Sequence, residues 1–141
     1  MIADLKDLKT FDVIKCPYQY QGGFAEPKRF VFLCNDVLGG VEHAICLKAT
    51  SKVTLYQNNA SLMAGVVYYP QAAVDFFELD TAVQPDNLHP IPHSQLSAHL
   101  KNGVLEHLGS MPADFKLKLE AAIQASKTMK PERKRSVLAR L

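Results

Sequence analysis

The sequence lacks the features of membrane and secreted proteins. No apolar run approaches the ~20 residues that a membrane-spanning helix needs. The segment MIADLKDLKT has neither the basic start nor the apolar stretch of a signal peptide. We therefore expect a cytoplasmic protein with no membrane segment. The three cysteines, Cys16, Cys34 and Cys46, form no C-x-x-C pair, so neither a disulfide framework nor a zinc motif is predicted, and their apolar surroundings predict small buried side chains.

Motifs of several enzyme classes are also missing. There is no GxxxxGK(S/T) phosphate loop and no GxGxxG, and the glycine pairs in QGGFAEP and LGGVE predict turns. No GxSxG nucleophile elbow occurs. His89 and His93 stand four residues apart, but Pro90 and Pro92 prevent the helix that would place both on one side of a metal ion. We therefore expect no nucleotide hydrolysis, no metal and no cofactor.

Charge is distributed unevenly along the chain. Residues 127–141 hold six Lys and Arg against one Glu, which leaves ten cations and thirteen anions in residues 1–126. We accordingly expect one domain over 1–126, followed by a basic tail or short helix over 127–141. A basic tail can bind nucleic acid or an acidic partner. It is also the composition of an ordinary solvated helix end, which is the interpretation that we favour.

The first 80 residues predict β-strands. Short apolar runs rich in Val, Ile, Phe and Tyr are separated by segments with Gly, Pro and Asn, which favour chain reversal. Runs such as AICLK and RFVFLC are continuously apolar, which suits a small barrel or a sheet covered on both faces. Five strands without intervening helices argue against a doubly wound fold. The predicted strands are 11–18, 29–35, 43–50, 64–70 and 74–83.

The pattern changes after the fifth predicted strand. The prolines of QPDNLHPIPHSQ predict a loop, and SQLSAHLKNGVLEHLG predicts a short helix that ends near Gly109. In PADFKLKLEAAIQASK, Phe115, Leu119, Ala122 and Ile123 fall on one face, which predicts a helix. PERKRSVLARL is either a short helix or a frayed end. The predicted fold class is mainly β with C-terminal helices: a body of about five strands covered by a helical layer.

The order of these segments resembles the PemK/MazF toxin family, small homodimeric barrels related to the SH3 fold that cut RNA. FDVIKCPYQY corresponds to the family's first strand, QGGFAEP to its Gly-rich loop and KRFVFLCN to its second strand. ICLKATSK and FELDTAVQPDN correspond to the third and last strands, and LGSMPADFKLKLEAAIQAS is similar to the closing helix. The resemblance covers residues 10–126 and implies a small SH3-like β-barrel.

The resemblance also implies where a catalytic site would lie. Arg29 falls on the family's catalytic arginine, although the companion proline of the family is a phenylalanine in this chain. Thr50 and Ser51 fall on the hydroxyl pair that lines the cleavage site, and Asp80 falls on the acidic position of the last strand. Glu78 stands where some members carry an arginine, which reverses a charge that would meet phosphate.

Metal-independent RNA cleavage sets chemical requirements that these residue types can meet. The substrate's own 2′-hydroxyl is the nucleophile, so the protein supplies a base, an acid and a cation for the additional negative charge. Arg29 has a planar guanidinium that can hold two phosphoryl oxygens at once. Glu26 or Asp80 can be the base if its surroundings raise a carboxyl pKa from ~4 toward neutrality. Lys28, Glu26 and Glu78 form the predicted RNA-binding set.

Each of these residues also has a purely structural interpretation. The aliphatic stem of Arg29 can lie over apolar neighbours with its charged head in water. Thr50 and Ser51 suit a strand end followed by a turn, and Asp80 suits a turn or a cap. Both interpretations stay open at the level of the sequence.

Three functional hypotheses follow. The resemblance implies an endoribonuclease toxin of a toxin-antitoxin system, a homodimer that cleaves single-stranded RNA and is covered by an antitoxin protein. The alternative is an inactive PemK/MazF-like binding module for RNA or a protein partner, which the charge reversal at Glu78 favours. A third hypothesis is an accessory protein whose barrel serves assembly alone. We place the first ahead because Arg29 and the Thr50–Ser51 pair occur together.

Overall fold

Six antiparallel strands form one sheet in the computed structural model, which describes residues 2–18 and 25–141. The spatial order is β4-β5-β3-β2-β1-β6. The strands are β1 Asp12–Tyr18, β2 Glu26–Leu38, β3 Val41–Thr50, β4 Val67–Tyr69, β5 Thr81–Pro92 and β6 Glu106–Ser110. The helices are a 3₁₀ turn at Leu5–Asp7, α1 Thr54–Gln57, α2 Ala60–Met63, α3 His93–Lys101, α4 Phe115–Ala125 and α5 Pro131–Leu138.

A mainly β fold with C-terminal helices is confirmed, but the sheet is open where a closed barrel of about five strands was predicted. The edge strands are β4, which pairs with β5, and β6, which pairs with β1. The described residues show no ladder between β4 and β6, because the two strands stand at opposite ends of the strand order. Helices on both faces cover the apolar surface that closure would otherwise bury. The predicted QYQGGFAEP turn falls largely on residues 19–24, outside the described residues.

The continuously apolar strands supply both faces of the sheet. Val31 and its same-face neighbours pack under α4 and α5, a side that we name the α4 face. Phe30 and its same-face neighbours pack under α3 and the N-terminal 3₁₀ turn, a side that we name the α3 face. Because successive strand residues point to opposite faces, burial on both sides requires apolar residues at consecutive positions. A sheet covered on both faces was one of the two alternatives that these runs predicted.

The prediction was wrong over residues 74–80, expected as strand, and over residues 84–92, expected as loop. Residues 74–80 form turns and bends in which Val74 and Phe77 enter the core of the α4 face. The predicted loop is mostly strand, since β5 runs through Pro85, Pro90 and Pro92. A bulge at 85–87 interrupts the ladder with β3, and β4 reaches only residues 81–83. Proline is tolerated at bulges and on strand edges, because its missing N–H is not needed there.

The C-terminal helices are partly as predicted. In α4 the four predicted apolar residues are all buried. The predicted helix near Gly109 ends instead at Lys101, and β6 follows. Gly109 has φ +147°, and a Cβ there would lie 2.9 Å from a ring carbon of Phe76, so the strand passes directly against that ring. The last segment forms α5, whose Val137 is fully buried. The segment between the predicted strands 43–50 and 64–70 was expected to reverse the chain, and it forms the short helices α1 and α2.

The cysteines are free, and two of the three are buried as expected. Burial raises the pKa of the Cys16 thiol to about 11, which keeps it protonated and unreactive at neutral pH. Burial also raises the pKa of the Cys46 thiol.

Over residues 2–18 and 25–141, no helix is both long enough and apolar enough to cross a membrane.

Candidate functional site

Positive charge gathers where β2 begins and β3 ends. In the register of the sheet, Arg29 of β2 lies opposite Lys15 of β1. Lys28 immediately precedes Arg29 in β2. Lys48 of β3 lies opposite Phe30, the residue that follows Arg29. Three adjacent strands thus contribute cations to one end of the sheet. Thr50, the last residue of β3, lies at the same end. We name these five residues the basic strand end: Lys15, Lys28, Arg29, Lys48 and Thr50.

Arg29 lies on the α4 face of the basic strand end. It stands two residues before the buried Val31 and opposite Ala49, so all three side chains share a face. Its Nε is buried and has no hydrogen-bond partner among the described residues. A buried donor without a partner costs about 1–3 kcal/mol. Lys15 lies directly opposite Arg29 and has Glu106 on its other side. A phosphate oxygen is an acceptor that suits a guanidinium well.

Lys28, Lys48 and Thr50 lie on the opposite, α3 face. Lys28 stands two residues before Phe30, and Lys48 faces it across the ladder. Thr50 follows Ala49, so its side chain points away from that of Arg29. The structure therefore brings Lys28, Arg29 and Thr50 to one end of the sheet, with Arg29 on one face and the other two on the opposite face. A ligand that contacts both Arg29 and Thr50 has to sit across the strand end.

The predicted hydroxyl pair ends β3. Thr50 Oγ1 accepts a hydrogen bond of 3.1 Å from the backbone N–H of Lys52. This bond leaves the hydroxyl proton available, because a hydroxyl is one donor as well as an acceptor. Ser51 is exposed, and its carbonyl accepts a 3.0 Å bond from Val53 N–H. Thr50 thus fixes the turn and can still donate to a ligand.

The predicted acidic residues have different surroundings. Asp80 accepts a 2.7 Å bond from the backbone N–H of Gln71 and a 3.4 Å bond from Gln57 Nε2. Its Oδ1 therefore closes the segment between β4 and β5 on itself, and its Oδ2 connects that segment to α1. Glu26 is exposed and forms a 3.1 Å ion pair with Lys28 at the basic strand end. Glu78 is exposed in the segment that precedes β5.

Sequence reasoning missed the aromatic cluster beside Lys48. Tyr18, Phe30 and His89 pack with ring centroids 5.3–5.5 Å apart, and His89 Nδ1 lies 3.4 Å from the hydroxyl of Tyr18. Burial lowers the pKa of His89, and the positive charge of Lys48 lowers it further. In the sequence, HPIPH indicates only a proline-rich segment. The cluster becomes visible once β5 is known to pair with β3.

The lowered pKa of His89 predicts a loss of stability in mild acid. The unfolded state binds a proton near pH 6.5, whereas folded His89 resists protonation. We expect a positive slope of the free energy of unfolding against pH around pH 6.5, which levels off below the folded pKa. Urea denaturation at pH 7.5, 6.5 and 5.5 measures this slope. His89→Gln should flatten it, and an unchanged slope in that variant would place the effect elsewhere.

No three His, Cys, Asp or Glu side chains in the described part of the chain gather closely enough to ligate a metal ion. A scan against protein-family models finds no match to this sequence, and neither does a search of curated proteins. What bears on function is the set of charged and hydroxyl groups at the basic strand end.

Proposed function

We propose that this chain binds single-stranded RNA at the basic strand end and cleaves it as the toxin of a toxin-antitoxin pair. The observation that carries the proposal is the buried Nε of Arg29, which has no hydrogen-bond partner within residues 2–18 and 25–141, in a group of cations on three adjacent strands. RNA presents a phosphate at every nucleotide, and such contacts dominate the affinity of nucleic-acid-binding proteins. A phosphate across the strand end would accept hydrogen bonds from the Arg29 guanidinium.

Each residue then has a defined chemical role. The 2′-hydroxyl attacks the adjacent phosphorus, and the bond to the 5′-oxygen breaks, which leaves a 2′,3′-cyclic phosphate and a 5′-hydroxyl. Glu26, exposed beside Lys28, takes the 2′-hydroxyl proton, and Lys28 supplies a proton to the leaving oxygen. Arg29 and the Thr50 hydroxyl donate to the phosphoryl oxygens, whose negative charge increases in the transition state.

The partners proposed for this function follow from the resemblance and from charge. The toxin would act in the cytoplasm as a homodimer. An antitoxin with an acidic segment would cover the basic strand end by placing carboxylates where the phosphates bind. Such a segment would compete with RNA for Arg29, so antitoxin binding and cleavage would exclude one another.

The engagement of Asp80 favours a second candidate, an RNA- or protein-binding module without turnover. Both carboxylate oxygens of Asp80 accept hydrogen bonds within the chain, so this residue has a structural role. Glu78 places a negative charge where the resembled family carries a cation. A module of this kind would keep affinity for RNA and lose cleavage.

Cleavage of a labelled RNA separates the two candidates. We expect the purified chain to cut a single-stranded RNA in the presence of EDTA and to leave 2′,3′-cyclic phosphate ends. The matched control is the same oligonucleotide with 2′-deoxyribose throughout, which has no internal nucleophile and should stay intact. Binding of the RNA without cleavage would support the binding module instead. If the chain neither bound nor cut the RNA, the toxin and the RNA-binding module would both be contradicted.

A further inference from the structure

A groove lies beside the part of β5 that follows its short ladder with β4. One cavity of about 580 Å³ lies beside Lys130 and Arg133 at the start of α5. A second, of about 150 Å³, lies between Tyr56 of α1 and Lys127. Both cavities are lined by Asp86 and Thr128, so they meet there. We name the combined depression the edge groove.

The β5 bulge forms one wall of the edge groove. Ladder pairing passes from Gln84 to Leu88, so residues 85–87 have no partner in β3. Arg133 Nη1 donates a 3.3 Å hydrogen bond to the carbonyl of Asp86 in this bulge. On the other side, Ser126 Oγ accepts a 3.1 Å bond from Met129 N–H and fixes the turn before α5. Bulges are over-represented beside functional sites because they redirect the chain out of the ladder.

The inner end of the edge groove meets the basic strand end. The hydroxyl of Tyr56 accepts a hydrogen bond from Gln84 Nε2. Gln84 lies opposite Lys48, which belongs to the basic strand end. A chain bound across the strand end can therefore continue past Tyr56 into the groove without leaving the protein surface.

The residues of the edge groove suit a nucleic acid. Lys127, Lys130 and Arg133 are exposed, and in the described part of the chain neither lysine side chain forms an ion pair. The acidic groups present are Asp86 and Glu132, whose carboxylates can accept hydrogen bonds from base amino groups. Tyr56 at the junction offers a ring for stacking. Cations that follow the backbone, combined with an aromatic surface, are the common pattern of single-strand binding sites.

We infer that the edge groove binds the nucleotides that flank the phosphate held at the basic strand end. This inference rests on the proposed RNA function and gives the basic segment 127–133 a role in it. Lys127 and Lys130 contact phosphates, and Tyr56 stacks on a base. Substrates long enough to reach the groove therefore bind more tightly than short ones.

The test compares two oligonucleotide lengths and two charge-matched variants of the full chain. The probes are fluorescein-labelled 2′-O-methyl RNAs of 4 and 15 nucleotides, which cannot be cleaved through the 2′ position. The groove variant is Lys127→Gln with Lys130→Gln. The control is Lys9→Gln with Lys101→Gln, which removes the same charge from exposed sites by the N-terminal turn and at the end of α3.

We expect the groove variant to lose roughly ten-fold in affinity for the 15-mer and to leave the 4-mer unaffected. Its salt slope should fall by about 1.4, since each phosphate contact on a single strand contributes about 0.7. The control pair should change neither quantity. Tyr56→Leu should weaken binding of the 15-mer, and Tyr56→Phe, which keeps the ring, should not.

Several outcomes would overturn the inference. An equal loss in both charge variants would mean that net charge alone matters. Wild-type affinity for the 15-mer in the groove variant would show that the groove does not bind RNA, while the proposed function would stand. If the groove variant instead lost binding of a polyglutamate peptide alone, the groove would be a protein site. If the wild type bound neither RNA, the proposed function itself would fail.

Discussion

Arg29→Met is expected to slow RNA cleavage strongly without lowering the stability of the fold. Removing one preorganised donor from a developing oxyanion typically costs about 10²–10³ in rate. Methionine keeps the unbranched stem that covers Ala49 and removes a buried Nε that has no partner among the described residues. Since an unpartnered donor costs about 1–3 kcal/mol, the free energy of unfolding should be unchanged or higher. Loss of activity with a gain in stability is typical of a residue kept for function.

The experiment combines single-turnover cleavage with urea denaturation. Arg29→Lys is the informative companion, because lysine keeps the charge but lacks the planar pair of donors, so its rate should fall between those of wild type and Arg29→Met. Lys116→Gln, on the exposed side of α4, controls for net charge and should leave cleavage unchanged. Full activity in Arg29→Met would remove Arg29 from the mechanism. A loss of stability in that variant would make Arg29 a structural residue.

The sequence predicted a strand correctly where both faces of that strand are buried. It failed where contacts with other strands override the local preference of the residues. The runs that became β2 and β3 are apolar at consecutive positions, so they could be predicted as strands without knowing their partners. β5 carries three prolines, and their position on a bulge and an edge depends on which strands lie beside them. Local chemistry therefore predicted a loop, whereas pairing with β3 made the segment a strand.

The candidate site, too, could be predicted from the sequence only in part. The cations of β2 are adjacent in the sequence, so their clustering was visible, and Lys15 and Lys48 joined them only through the register of three strands. The placement of Thr50 and Arg29 on opposite faces also follows from register, because a shift of one residue would reverse it. The edge groove joins residues near position 56 to residues near 130, a separation that no motif in the sequence spans.

Asp12→Ala is expected to destabilise the fold more than any other single change outside the apolar core. The Asp12 carboxylate is buried and accepts a 2.6 Å bond from Ser110 Oγ and a 3.0 Å bond from the backbone N–H of Lys9. His107 Nε2 lies 3.1 Å from the same carboxylate, close enough for an ion pair without the geometry of a hydrogen bond. Removing one partner of such a buried set costs about 3–5 kcal/mol, because the remaining polar groups stay buried and unpaired.

Three further variants separate charge from hydrogen bonding at Asp12. Asp12→Asn keeps the shape and one acceptor, so it should cost less than alanine. Ser110→Ala removes one hydrogen bond and should cost about 1 kcal/mol, and His107→Gln tests the charge contribution alone. Urea denaturation of all four gives the ranking. Equal losses in Asp12→Ala and Ser110→Ala would mean that the serine bond accounts for the whole effect.

The same carboxylate connects stability to the proposed site. Asp12 anchors the start of β1 to β6, and that pairing continues to Lys15, which lies between Glu106 and Arg29. When the anchor is lost, the β1–β6 edge should open before the rest of the sheet, since β6 is an edge strand with one partner. Hydrogen exchange should then quicken in residues 106–110 of Asp12→Asn while β3 stays protected. Uniform exchange across the sheet would show that β1 and β6 open only with the whole fold.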